Sequence, residues 1–533
     1  MEMVKTKLVA IVLLCAVSFG AQAREYTWKR YLMDGSRTGG KTINELSGTP
    51  KKAAKLLDSC QEGMAELKTV VGYCPEALPM YRPQSPLTNL VADILLEEGS
   101  RIAGEPCDMS ITNNGGIRVE LPKGDVFLDD IRSMLPFKNN VAILKMRGEK
   151  ILGVLEFMAS KRFEAIGGVK VVVGRSGIES VMIGGRPLEK DRLYTVSANS
   201  FLLDGGDGYY LRKDSEQCNV TDEYIYDIAM KYFNRLKAEG KPIVSKLDDR
   251  VVLNYVPEDM AVSTTESLPP FSQKRLSTDR KRVLTILHTN DTHSHLEPIR
   301  GGRYSGLGGI VERAAFIDSV RRADGRRNVL LLDAGDFNQG TSYFTTFGGE
   351  IELKAMNLLG YDAGTLGNHE WDNGLDDLNS RLARINQKML LCNYRIDNKA
   401  FWKNVKPYAI IHRGGLKIGL VGILANLDGL TRGIDTKLDY IYPVEPVNEL
   451  ATFLKEKKKC DVVIVLSHCG TVPERKEDGD IRMASKLKNV DIIVGGHSHT
   501  DLKEPVYVDG ADGKPVMILS DYQWGIYVGE VKL

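Results

Sequence analysis

Eight histidines occur in this 533-residue chain, none before residue 288, and five of them fall in short motifs with Asp or Asn partners. In order the motifs read Asp291-Thr292-His293, Gly335-Asp336, Gly367-Asn368-His369-Glu370, Ser467-His468 and Gly496-His497-Ser498-His499. Imidazole, carboxylate and amide together form a donor set for zinc, manganese or iron rather than for a purely magnesium site. Two divalent ions about 3.5 to 4 Å apart clamp a phosphate, bring a bound water's pKa towards neutrality and stabilise charge on the leaving oxygen. Such a pair needs a shared carboxylate. Asp291, His293 and His499 suit one ion, Asn368, His468 and His497 the other, and Asp336 the bridge. A single Asp-x-His is weak, because a His near an Asp is usually a surface pair or a satisfied core residue; the ordered set is specific.

His369 follows Asn368 directly, so it is poorly placed to bind the same ion and can face the phosphate instead. Protonated there, it stabilises the transition state or protonates the leaving alkoxide. Asp372 either holds that imidazole charged or caps a helix. His288 and His412 lie in strand-like runs and read as structural, while His295 sits close to the ligand loop without an assigned role. Cys469 beside His468 reads as a small buried thiol, since His and Asp already supply enough ligands.

Those motifs must be brought together by the elements around them. Apolar runs at 283–287, 329–332, 418–423, 462–466 and 492–494 read as buried strands, and 307–321 as an amphipathic helix. The result is an α/β domain with the metal motifs at or just after strand ends, where loops gather distant residues onto one rim. Upstream, 86–98 and 221–237 have helical periodicity, and 141–145 and 170–173 read as strands, giving a second, mixed α/β domain. It has no histidine and is not expected to run chemistry alone. Its conspicuous segments are Asn113-Asn114-Gly115-Gly116-Ile117-Arg118 and Asp204-Gly205-Gly206-Asp207-Gly208. Between the two, residues 257–282 are polar and punctuated and read as a linker.

The region from 283 onward resembles the catalytic domain of the 5'-nucleotidase family within the calcineurin-like metallophosphoesterases. It carries His-Thr-Asn-Asp-Thr-His, Gly-Asp, Gly-Asn-His-Glu and Gly-His-Ser-His, with Trp371 where the family more often has Phe. The resemblance implies a layered β-sheet core flanked by helices, two metal ions on the ligands given above, and His369 with Asp372 as the catalytic pair. Residues 24–256 are similar to the family's nucleoside-binding domain. That similarity implies substrate contacts from Arg82, Asn113, Arg118, Gly168 and Asp207. It also implies a base clamp of Phe137, in a Pro-Phe-x-Asn motif with Asn139, and Phe201. Lys138 replaces the usual small residue of that motif. Relatives place the metal domain first, and here the order is inverted.

Lys and Arg number 71 against 70 Asp and Glu, so net charge gives no reason to expect a nucleic-acid polymer or a membrane surface as partner. Lys5, Lys7, an apolar run at 8–17 and Ala21-Gln22-Ala23 have the order of a secretory signal, residues 1–23, cleaved before Arg24. The expectation is an exported protein, periplasmic or extracellular, with no transmembrane segment; lipid attachment at Cys15 is disfavoured by Leu14 before it. Of the seven cysteines after residue 23, Cys60 with Cys74 and Cys460 with Cys469 are the nearest pairs. So sparse a set is no disulfide scaffold. The expected activity is a two-metal hydrolysis of nucleoside 5'-monophosphates, with zinc or manganese and a small-molecule nucleotide as substrate. Nucleotide-sugar pyrophosphatase or 2',3'-cyclic-nucleotide phosphodiesterase activity is the alternative within that class, and a catalytically silent nucleotide-binding protein the alternative outside it. The oligomeric state is left open.

Overall fold

The computed structural model describes residues 27–255, 284–428, 430, 438–472 and 479–533. The expected signal segment and the 257–282 linker lie outside these residues. The chain enters with strand β1 (Thr27–Leu32) and helix α1 (Gly48–Asp58). The first half then runs through α2 (Pro86–Ala103), β2 (Met109–Thr112), α3 (Leu128–Met134), β3 (Asn140–Arg147), β4 (Ala165–Gly167), β5 (Leu193–Asn199), β6 (Gln217–Tyr224) and α4 (Ile225–Ala238). Its main sheet has the order β6-β3-β5-β2-β4. Helix α2 lies on that sheet and is delimited by its own sequence. Ser85 and Thr88 cap each other reciprocally, with Thr88 N donating to Ser85 Oγ at 3.2 Å and Ser85 N to Thr88 Oγ1 at 2.9 Å. Pro86 occupies the first turn, and Gly104 ends the helix in the left-handed region at φ 71°.

The second half contains β7 (Thr285–Thr289), α5 (Ile310–Asp324), β8 (Val329–Asp333), α6 (Ser342–Phe347), α7 (Glu350–Leu359), β9 (Ala363–Thr365), β10 (Lys388–Leu390) and β11 (Val405–Lys406). It continues through β12 (Tyr408–Arg413), β13 (Leu416–Leu424), β14 (Val462–His468), β15 (Ile492–Gly495), β16 (Val506–Asp509), β17 (Pro515–Leu519) and β18 (Tyr527–Lys532). Two sheets form, ordered β1-β18-β7-β8-β9-β10-β11 and β12-β13-β14-β15-β17-β16. They pack face to face: Ile286, Leu330 and Leu332 of one meet Leu420, Ile464 and Val494 of the other in one buried cluster. Both faces of the central strands are therefore covered, which is why β8 and β14 read as unbroken apolar runs rather than alternating ones.

The expected strands and most helices lie where the apolar periodicity put them, with one correction. The helix expected over 221–237 begins only at Ile225, because 217–224 pairs antiparallel with β3 as an edge strand whose exposure alternates. A second difference concerns the division at residue 256. Strand β1 pairs antiparallel with β18, Thr27 opposite Lys532 and Leu32 opposite Tyr527, so the first residues described belong to the second half's sheet. Trp28 packs on the core between the two sheets. On α1, Thr49 donates from N and Oγ1 to the Asp318 carboxylate of α5, each at 3.0 Å. Thus 27–58 pack with the metal-motif half although they precede the other.

The halves are joined by more than the chain. The Arg300 guanidinium lies 3.8 Å over the Phe127 ring and 2.5 Å from Asp130. Glu120 accepts from Met80 N at 2.9 Å and from Arg303 N at 3.2 Å. At the start of α6, Ser342 N donates to Ser133 Oγ of α3 at 3.1 Å. One buried apolar cluster runs through both halves, from Leu90 to Leu331.

Candidate metal centre and substrate cavity

The seven residues expected to hold metal come off the carboxyl ends of five strands. Asp291 and His293 follow β7, Asp336 follows β8, Asn368 follows β9, His468 is the last residue of β14, and His497 and His499 follow β15. Strands β7, β8 and β9 are mutually parallel, as are β13, β14 and β15, so all these ends open on one rim. Loops leaving such ends must turn sharply. Asp291, His293, Asp336, His497 and His499 all take positive φ, between 46° and 78°, a conformation that costs energy and concentrates at functional sites. The flanking glycines are there for space. A Cβ on Gly335 would lie 2.6 Å from Gly367 N and 2.9 Å from His468 Nδ1, and one on Gly367 would lie 2.1 Å from Asp336 Oδ1.

The donor atoms of Asp291, His293 and His499 lie within 4.8 Å of one another, and so do those of Asp336, His468 and His497. Asp336 joins the two groups, its Oδ2 3.0 Å from His468 Nε2 and 3.8 Å from His293 Nε2. Asn368 Oδ1 is 2.9 Å from His497 Nδ1. His468 gives Nδ1 to Ala334 O at 2.7 Å, which leaves Nε2 for the cluster. The electrostatics describe a place that wants cations. Burial pushes Asp336 up, yet the imidazoles of His468 and His369 hold it well below the carboxylate range. Burial pushes His468 down, but Asp336 and Asp291 raise it to about 10. Buried carboxylates and imidazoles that lean on each other this strongly form a donor set that fits two divalent ions.

His369 stands on the turn after Asn368. Its Nδ1 is 2.8 Å from Asp372 Oδ2, and its ring centroid is 5.3 Å from that of His293. Burial lowers its pKa, but Asp372 and Asp336 outweigh that and leave it raised. Glu370, which carries no role in the motif reading, is fully buried and accepts from Asp336 N at 2.9 Å, Gly367 N at 2.6 Å and Asn338 N at 3.1 Å. It pins the Gly335-Asp336 loop to the Gly367-Asn368 loop. A lone glutamate has no spacing signal; only its place in the Gly-Asn-His-Glu run marks it.

His288 is wholly buried against Asp521 at 2.7 Å, whereas His412 is exposed on β12. His295 stacks on Trp524, ring centroids 5.0 Å apart, and burial lowers its pKa to about 3. All seven cysteines of the described residues are free thiols, and Cys469 is buried.

A cavity of about 900 Å³ opens above the cluster and is lined from both halves. Asp336, Asn368, His369, His497 and His499 form one side. Arg82, Asn113, Arg118, Phe137, Asn139, Phe201 and Asp207 line it from the first half. The two sides touch: Arg118 Nη2 lies 2.9 Å from both ring nitrogens of His293, and the Phe137 ring is 5.8 Å from that of His369. Asn113 Nδ2 donates to Asp207 Oδ2 at 2.9 Å, while Asn199 donates to Asn113 Oδ1 at 3.0 Å and accepts from Phe201 N at 2.8 Å. Asn199 thereby holds three expected contact residues in one arrangement. Gly168 differs: it is not among the lining residues, and it sits at φ 73° in a tight turn where a Cβ would come 2.4 Å from Asp108 O. Lys138 is exposed at the cavity's edge, and Arg303, Tyr522 and Trp524 line it without any motif having marked them.

The strand-end rim and its His and Asp loops define a calcineurin-like phosphoesterase domain, whose family model matches residues 284–501. Residues 70–214 match the 5'-nucleotidase C-terminal domain. The chain therefore carries both domains of the 5'-nucleotidase family, in the reverse of the family's usual order. It is similar to the Bos taurus 5'-nucleotidase, 36% identical over 279 residues that make up 47% of this chain and 46% of that one. Over 80% of its length it is 24% identical to the trifunctional nucleotide phosphoesterase protein YfkN of Bacillus subtilis, of which 34% is covered. A solved 5'-nucleotidase precursor from Thermus thermophilus is 32% identical, with 47% of this chain and 51% of that chain covered and a TM-score of 0.42. The chain spans about half the length or less of these relatives. No helix among the described residues is long and apolar enough to cross a membrane.

Proposed function

We propose that the chain is an exported phosphohydrolase that releases orthophosphate from nucleoside 5'-monophosphates. The observation that carries this reading is the single cavity lined on one side by the His and Asp cluster and on the other by Phe137, Phe201 and Arg118. Asp291, His293 and His499 would hold one divalent ion and Asn368, His468 and His497 a second, with Asp336 shared; zinc or manganese suits these donors. Bound there, such ions supply positive charge at the phosphate and lower the pKa of water.

The chain's own residues do the rest. Arg118, a fixed cation at the cluster, aligns the phosphate oxygens. His369, kept protonated by Asp372, delivers a proton to the departing 5'-oxygen, so the P–O bond breaks to a neutral alcohol as water's oxygen bonds to phosphorus. Phe137 and Phe201 stack the base, a contact that tolerates any base because each has a π-face. Asn113, Asn139, Asp207 and Arg82 fix the nucleoside's polar edge. In this reading 24–256 supply the nucleoside site, 257–282 the connector and 283–533 the catalytic domain, to which 27–58 are added in space. Phosphate release from AMP by the purified chain, with and without chelator, tests the proposal. Nucleotide binding without turnover in metal-replete protein would establish the silent receptor instead.

A further inference from the structure

Arg30 stands on β1, far in sequence from every metal motif, yet its side chain is only 8% exposed and lies between two loops of the metal rim. Its Nη1 donates to Asp501 Oδ1 and to Leu502 O, both at 2.6 Å, and Asp501 is two residues beyond His499. Its Nε lies 3.6 Å from Asp521 Oδ1, a charge pairing, and its guanidinium stacks 3.9 Å over the Tyr527 ring. Asp521 and Asp501 face each other across an antiparallel bridge, and Arg30 is the group that touches both carboxylates, while Lys503 pairs with Asp501 Oδ2 and His288 lies against Asp521 Oδ2. From Asp521 the connection continues to the other loop. Asp521 N donates to Asn290 Oδ1 at 2.8 Å, and Asn290 Nδ2 donates to Asp291 Oδ2 at 2.6 Å and to Tyr522 O at 2.8 Å. Trp524 N donates to Asp291 O at 2.7 Å.

We infer that Arg30 is a positioning residue for one of the two metal sites. By clamping the His499–Leu502 loop to the Asp521–Trp524 loop, it sets the distance between His499 and Asp291. The inference rests on the two-metal reading above and deepens it, because Asp291 and His499 belong to the same proposed site. Arg30 reaches this site through Asp501 and Leu502, on the loop that follows His499, and through Asp521 and Asn290 to Asp291. Without the guanidinium, Asp501 and Asp521 lose the group that ties them across the bridge and Asp521 is left buried with one partner fewer, so the loops splay. Lysine is a poor substitute, since one ammonium cannot span both carboxylates and Leu502 O while stacking on Tyr527. The strand that precedes the nucleoside domain is then part of the metal centre.

Cobalt(II) titration of the metal-free full chain, followed by its visible absorption, tests this. The two steps are assigned with His499→Ala, which removes the site in question. Arg30→Ala is expected to weaken that step about 10-fold, the lower end of the usual effect of outer contacts on metal affinity, with the other step unchanged. Arg30→Lys should recover only part of the loss, and Lys29→Ala, at an exposed position on the same strand, should leave both steps at wild-type affinity. If Arg30→Ala does not fold, Asp501→Asn, which removes one clamped carboxylate at a partly exposed position, is expected to weaken the same step. Wild-type affinity at both steps in a folded variant, or equal weakening of both, overturns the inference. A wild-type chain that binds no cobalt at two sites overturns the two-metal reading itself, and this inference with it.

Discussion

His369 donates through Nδ1 to Asp372 at 2.8 Å, which fixes the ring and leaves Nε2 to serve the cavity. In the proposed mechanism it acts only in the transition state. Replacing His369 with Ala is therefore expected to lower kcat for AMP by about 10²- to 10⁴-fold, while KM and bound metal stay close to wild type. Steady-state kinetics with metal analysis check this, and undiminished turnover would remove His369 from the reaction. For the clamp, Phe137→Ala and Phe201→Ala should each weaken AMP binding by about 1 to 3 kcal/mol and affect a small aryl phosphate less. Equal losses on both substrates would make the two rings core residues. At this scale the sequence was legible where residues are scarce and spaced, as with His293, His468, His497 and His499. It was silent on Glu370, Asn290 and Asn199, which act by bonding backbone amides or neighbouring side chains and leave no spacing signal. Gly168 shows the converse. A glycine that matches a motif can be there for a turn, as its φ of 73° and the nearby Asp108 carbonyl indicate.

Strand ends, rather than the strands themselves, decide where the chemistry sits, and the apolar runs fixed those ends to within a few residues. What periodicity could not reveal is which sheet a strand joins. Nothing in Thr27–Leu32 announces that its partner is Tyr527–Lys532, because β pairing is non-local and short half-buried strands carry little register information. The pairing has a consequence. A fragment of 284–533 alone would expose the edge of β18 and the surface under α1, an unprotected strand edge being prone to aggregation. Appending residues 27–58 after residue 533 through a short flexible link, as a circular permutation, should restore a soluble, metal-binding domain. If the bare fragment proves as soluble and as stable as the permuted one, β1 is dispensable.

Between elements, Asp130 of α3 faces Arg300. Burial raises its pKa to about 6 despite the Phe127 amide and Arg300. The folded protein thus holds this proton more tightly than the unfolded chain. Stability contributed by Asp130 is present below about pH 4 and falls as pH rises to about 6, by about 3 kcal/mol at most. Asp130→Asn should remove that slope, so urea unfolding at pH 4 and pH 6.5 ought to show a smaller difference for the variant than for the wild type. The same difference in both would mean that Asp130 is not buried as described.

Across the whole molecule, reversing the domain order leaves the site assembled. The two halves meet through Arg300 and Asp130, Glu120 and Arg303, and Ser342 and Ser133, and they share one cavity. Neither half alone holds both a metal cluster and an aromatic pair, so nucleotide hydrolysis should be a property of their union. The most direct test is phosphate release from AMP by the full chain stripped of metal and then given zinc or manganese. Turnover should vanish on stripping, return with either ion, and be much smaller in the Phe137→Ala/Phe201→Ala double variant at low AMP. Full turnover in verified metal-free protein would contradict the account.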